Sequence, residues 1–158
     1  MKTYNYTIKR QYIAENSSDY IPAINRPNAI ADYIRDNIEE FYQSDQEHFY
    51  IFCLDTKNRL KGFSLITQGL LDRSHVHPRE VFKPAIISSA SKIIIAHNHP
   101  SGAVESSKQD RDCTENLIES GKILGIPVVD SLIVGESHGA FVWASLRQNQ
   151  EVEFNLKA

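Results

Sequence analysis

The apolar positions of the chain switch repeatedly between a helical period and an extended one. Pro27 suits the first turn of a helix. Ile30, Tyr33, Ile34, Ile38 and Phe41 then recur at helical spacing, which predicts one helix from Pro27 through Tyr42. Gln43 to Gln46 is a polar connector, and Glu47 stands at the head of a strand over His48–Leu54. The turn Asp55-Thr56-Lys57-Asn58-Arg59 sends the chain back along Leu60–Thr67, so the two runs read as a hairpin. Gly69 to Arg73 reads as a loop or irregular strand. Pro78 opens a second helix to about Ser91, with Val81, Ala85, Ile86 and Ser89 facing inward. Ile93 to Ala96 is β-branched and unbroken, as in a buried strand. A third helix runs from Ser106 or Ser107 to Leu124, with Cys113, Leu117, Ile118 and Ile123 as core candidates and Gly121 and Gly125 marking its end. Val128–Val134 is a buried strand, and Ala140–Ala144 pairs back on it. Residues 1–26 read as a strand-and-loop extension, 27–146 as the folded domain, and 147–158 as a polar tail prone to fray. Helices alternating with strands and hairpins predict an α/β sandwich around a mixed sheet.

The chemistry concentrates where the Ile93 strand ends. His97 and His99 are two apart, so in extended chain both rings leave one face. Pro100 holds His99 out of helical geometry, and Gly102 supplies a sharp turn. Ser107 and Asp110 follow, three apart and hence on one face of the first turn of a helix. Two imidazoles and a carboxylate are the protein complement of a catalytic zinc site, with a fourth position left for water. A helix start favours Asp110 as the anion that a ligand must be. Ser-x-x-Asp is also a variant of the capping box, so these two residues have a purely structural reading as well. A second His-x-His, His75 and His77 with Glu80 behind it, is a competing metal face. Pro78 begins a helix at once there and leaves little turn for closing a site.

Composition narrows the classes. Apolar content of 41% and charged content of 23% are ordinary for a globular domain, and 158 residues suffice for one real core. A net charge of −3 gives no basic footprint for non-specific DNA binding. Two cysteines, Cys53 and Cys113, make no disulfide framework; reduced thiols and a cytoplasmic location are expected. No apolar run reaches membrane-spanning length, and no signal-peptide core is visible.

His97-Asn98-His99-Pro100-Ser101-Gly102 followed by Ser107-Lys108-Gln109-Asp110 resembles the JAMM (MPN+) metalloprotease motif, and more closely the RadC-like branch of that family. Val76–Phe82 and Ile123–Gly135 resemble the branch as well, so the likeness runs from about Pro27 to about Ala144. It implies a three-layer, cytidine-deaminase-like arrangement around a mixed sheet. It implies Zn2+ on His97, His99 and Asp110. Glu47 stands where JAMM proteins carry their catalytic glutamate, and Glu47-His48-Phe49 resembles the RadC-like pattern there; Glu80 is the rival base. Ser107 would take the family role of a hydroxyl that donates to a developing oxyanion. Asp130 matches the family and is a candidate to support the site from behind the ligands, or is simply an aspartate near a strand end. The activity implied is hydrolysis of a peptide or isopeptide amide in a protein substrate. Two other readings stay open: a DNA-repair-associated accessory protein or nuclease, as the family's name suggests, and a non-catalytic MPN-like binding module. The family loop commonly has proline before the motif serine, where this chain has Ser106. The chain is expected to lack room for the N-terminal helix-hairpin-helix domain of full-length RadC-like proteins, so a DNA-binding role assigned through that domain is not expected to carry over.

Overall fold

The computed structural model describes residues 23–69, 76–154 and 156. The expected N-terminal strand, the first part of the loop after it, residues 70–73 and His75 lie outside them. Five strands form one sheet in the order β2-β1-β3-β4-β5, with β1 at Glu47–Leu54, β2 at Leu60–Gly69, β3 at Lys92–Asn98, β4 at Val128–Ser137 and β5 at Ala140–Ser145. The β3–β4 pair is parallel and the other three pairs are antiparallel, so the sheet is mixed. Four helices flank it: α1 (Pro27–Asn37), α2 (Glu39–Tyr42), α3 (Pro78–Ile87) and α4 (Lys108–Leu124).

Strand alternation sorts the core into two halves. Phe49, Ile51 and Cys53 of β1, with Ile93 and Ile95 of β3, face Val81, Phe82 and Ala85 of α3 and Leu117 and Ile118 of α4. Tyr50, Phe52 and Leu54, with Ile94 and Ala96, face Ile30, Ala31 and Ile34 of α1 and Phe41 and Tyr42 of α2. The central strands β1, β3 and β4 are thus buried on both faces, and the expected three-layer α/β arrangement is present. β1 and β3 read as unbroken apolar runs for this reason.

Four details differ from the periodicity. The first helix breaks at Ile38, which leaves helical geometry at φ −138°. The Asn37 side chain takes the Tyr33 carbonyl at 2.9 Å, the local competition with helix that asparagine favours. α3 ends at Ile87, not Ser91, because Ser88 donates to the Ala85 carbonyl and Ser89 turns to φ 51°. Ile86 and Ser89, expected inward, are therefore exposed. Ile123 is 87% exposed. The buried stripe of α4 runs Asp110, Thr114, Leu117, Ile118, Gly121, and two residues beyond Gly121 lie about 200° around the helix. Finally, residues 146–152 after β5 are packed against the domain: Leu146 and Val152 are both buried in the α3–α4 half of the core.

Candidate metal centre

α4 connects two parallel strands, and in such units ligands gather beyond the carboxyl end of the first strand, at the start of the helix. The side chains singled out by spacing meet there. His97 is the penultimate residue of β3, buried, with its ring stacked parallel to that of Phe49. His99 follows the strand end. Gly102 closes the turn at φ 76°, with its N–H bonded to the His99 carbonyl at 2.9 Å. A Cβ at Gly102 would run into the carbonyl oxygen of Glu136 on β4, so the turn needs glycine for two reasons. Ser107 caps α4: its hydroxyl accepts from the Asp110 N–H, and Asp110 Oδ2 accepts from the Ser107 N–H at 2.7 Å. The Ser107 hydroxyl also donates to Asp110 Oδ2, at 2.7 Å. The capping box therefore aims Asp110, only 2% exposed, at the histidines.

His97 Nε2 lies 3.1 Å from Asp110 Oδ1 and 3.2 Å from His99 Nε2, and His99 Nε2 lies 3.6 Å from Asp110 Oδ2. One donor atom from each residue falls within 4.8 Å of the others, and among the described residues this is the group of three that can hold a metal ion. His99 Nδ1 contacts the Ala103 carbonyl oxygen at 2.6 Å. A carbonyl only accepts, so Nδ1 carries the proton, and a neutral ring then has its lone pair on Nε2, facing the cluster. Two imidazoles and one carboxylate, with the tautomer of one ring set by the backbone, fit a borderline dication such as zinc.

The other expected site residues fall as follows. Glu47 opens β1, half-buried, and pairs with Gly69 of β2. The β1–β3 register ends with Phe49 paired to His97, and strand alternation sets Glu47, two residues before Phe49, on the Phe49 face of β1. Glu80 is exposed and bonded at 2.8 Å to Lys83 on its own helix, which with Arg79 holds its carboxyl below the usual range. His77 is an exposed N-cap residue of α3. Asp130 accepts from the Ser145 hydroxyl at 2.8 and 2.9 Å and from the Ser131 N–H at 2.7 Å. Burial outweighs these bonds and pushes its carboxyl above the ordinary range. These bonds tie it to the β4–β5 pair and to no metal ligand.

Two supports escape a reading by spacing. Thr114 donates to the Asp110 carbonyl at 2.8 Å and reaches the Ser131 hydroxyl at 3.2 Å, which ties the first turn of α4 to β4. Ser106 donates to Glu151 of the C-terminal segment and contacts Arg111 through both its carbonyl and its hydroxyl, at 2.9 and 2.8 Å. Thr114 could have been found as the i+4 neighbour of Asp110; Glu151 carries no local signal.

A mixed sheet between helical layers, with this triad at a strand–helix junction, defines the class of domain. The family model for the RadC-like JAB domain matches residues 24–151, and the chain belongs to that family. A UPF0758 protein of Rubrobacter xylanophilus is 46% identical over 117 residues, covering 74% of this chain and 50% of the relative. One from Desulfitobacterium hafniense is 46% identical over 116 residues, 73% of this chain and 50% of its own length. One from Methanosarcina barkeri is 46% identical over 94 residues, 60% of this chain and 41% of its own. The chain spans about half the length of the curated relatives it matches. Among the described residues no helix is long and apolar enough to cross a membrane.

Proposed function

We propose that this domain is a zinc-dependent hydrolase of the JAMM type, acting on a peptide or isopeptide amide in a protein substrate. The observation that carries the reading is the convergence of His97, His99 and Asp110 from two elements, with each donor atom within 4.8 Å of the rest. The dication, when bound, lowers the pKa of water and polarises a carbonyl. The chain's residues do the remainder. Glu47 takes a proton from the attacking water and returns it to the departing amine nitrogen, so that amide and water become acid and amine. The Ser107 hydroxyl donates to the carbonyl oxygen as charge develops on it, which requires it to turn from Asp110 Oδ2. The acidic balance of the chain favours this reading over a nucleic-acid substrate.

The test begins with metal content. Purified protein should hold about one zinc per chain, as a three-ligand catalytic site does. His97→Ala and Asp110→Asn should lose it. Peptide and isopeptide substrates are then screened with Glu47→Gln as the control, which should keep zinc and lose turnover by about 10²–10⁴-fold. Folded protein that takes up no zinc would sink the proposal and leave the binding-module reading. Zinc retention with cleavage of phosphodiesters alone would move the domain to the nuclease reading.

A further inference from the structure

Between the two histidines, Asn98 is fully buried and by strand alternation points to the other face of the sheet, the one that carries Ile94 and Ala96. The backbone register of β1 with β3 stops at Phe49 and His97. The next pair in that register would be His48 and Asn98, and there the side chain of Asn98 takes over. Its Oδ1 accepts from the His48 N–H at 2.6 Å. Its Nδ2 donates to the Gln46 carbonyl at 2.9 Å and lies 3.5 Å from the Ser44 carbonyl. The two shorter bonds hold the peptide groups on either side of Glu47. One amide, carried on the same three residues as two metal ligands, therefore fixes the backbone of Glu47 from both directions. An amide suits the task because it offers a donor and an acceptor at once; a carboxylate or a hydrocarbon of the same size cannot offer both.

We propose that Asn98 is a positioning residue: it fixes Glu47 at the head of β1 relative to His97 and His99 by clamping both peptide groups that flank it. The catalytic half rests on the reading of Glu47 as the base; the clamp itself does not. It is fully buried and its side-chain bonds go to backbone groups of residues 44–48 and to no donor atom of the triad, so its loss should leave metal binding intact and misplace the carboxylate.

The experiment compares wild type, Asn98→Leu, Asn98→Asp and Glu47→Gln by three readouts. The first is amide hydrogen exchange on metal-free protein. In Asn98→Leu the His48 amide should exchange about tenfold faster or more, while Ile51 and Leu132 amides in the sheet centre keep their protection. Asn98→Asp, which keeps the acceptor and loses the donor, should fall between, and it decides the matter should the leucine variant not fold. The second is zinc content, expected to equal wild type in both Asn98 variants. The third is turnover of a substrate that wild type cleaves. There kcat should fall with KM unchanged, and Glu47→Gln with Asn98→Leu should lose no more than Glu47→Gln alone. Unchanged His48 exchange, zinc loss in the Asn98 variants, or a kcat loss that adds to that of Glu47→Gln would each overturn the proposal. If wild type cleaves nothing, the hydrolase reading fails, while exchange and zinc content still decide the clamp.

Discussion

The Ser107 hydroxyl accepts from the Asp110 N–H and donates to Asp110 Oδ2, so its structural task is visible while its catalytic one is a proposal. Two substitutions separate them. Alanine in place of a serine cap costs about 1 kcal/mol, whereas glycine costs only a few tenths. Ser107→Ala should lower stability by that larger amount and Ser107→Gly by the smaller, in denaturant unfolding of the zinc-free protein. If the hydroxyl serves the oxyanion, both should lose turnover alike, by about 10²–10³-fold, although their stabilities differ. Turnover that tracks stability instead would reduce Ser107 to a cap. The convergence of His97, His99 and Asp110 was legible at this scale, because their spacing sets a shared face on each element. Asn98 was not legible, since its partners lie about fifty residues away and a buried amide looks the same in sequence whatever it bonds.

Gly121 shows how far an element can be read from its own period. It lies inside α4 and is buried, not at the helix end where the sequence suggests punctuation; Gly125, at φ 69°, is the residue that ends the helix. A Cβ at Gly121 would sit 2.6 Å from the Ile126 carbonyl oxygen and 3.2 Å from the Phe82 ring. Alanine is the better helix former by about 1 kcal/mol. Here the nearer clash is with backbone, at the corner that feeds β4, and it cannot rotate away. Overpacking of this kind costs about 1–3 kcal/mol and outweighs the gain. Gly121→Ala should therefore lower the thermal midpoint, and a rise would mean that the α4–β4 corner can yield. Helix and strand identities along the domain followed from period, because every central element buries a regular face. Their ends did not, because Ile38, Ser88 and Ser89 stop helices through side-chain bonds and turns that a hydrophobic period does not encode. Ile123 misled for the same reason: apolar content at a helix end says little about which side of it meets the core.

At the scale of the whole molecule, the C-terminal segment is tied to the loop that joins β3 to α4, the two elements that carry His97 and Asp110. Leu146 and Val152 anchor it in the α3–α4 core, and between them Glu151 accepts from the Ser106 hydroxyl, one residue before the α4 cap. Arg111 grips Ser106 from the helix side, and its charge also favours the Glu151 anion. The chain holds this loop with a hydroxyl, a carboxylate and a guanidinium from three places in the sequence. The bond from Ser106 is the chief reason the Glu151 carboxyl lies below its ordinary value. A carboxyl lowered in the folded state stabilises the fold above its unfolded pKa, about 4.3, and loses that contribution as pH falls through the folded value. Glu151→Gln removes the titration and leaves an acceptor for Ser106. The thermal midpoint of wild type should therefore exceed that of Glu151→Gln near neutral pH, with the gap closing as the pH drops below about 4. Glu151 is partly exposed, so the gap should be small and should shrink in salt. Ser106→Pro, which deletes the hydroxyl, should remove the larger part of the pH-dependent gap between Glu and Gln at position 151, leaving the smaller share due to Asn149 and Arg111. An undiminished gap in the proline background would mean that Glu151 acts through Asn149 and Arg111 and not through Ser106 ahead of the α4 cap.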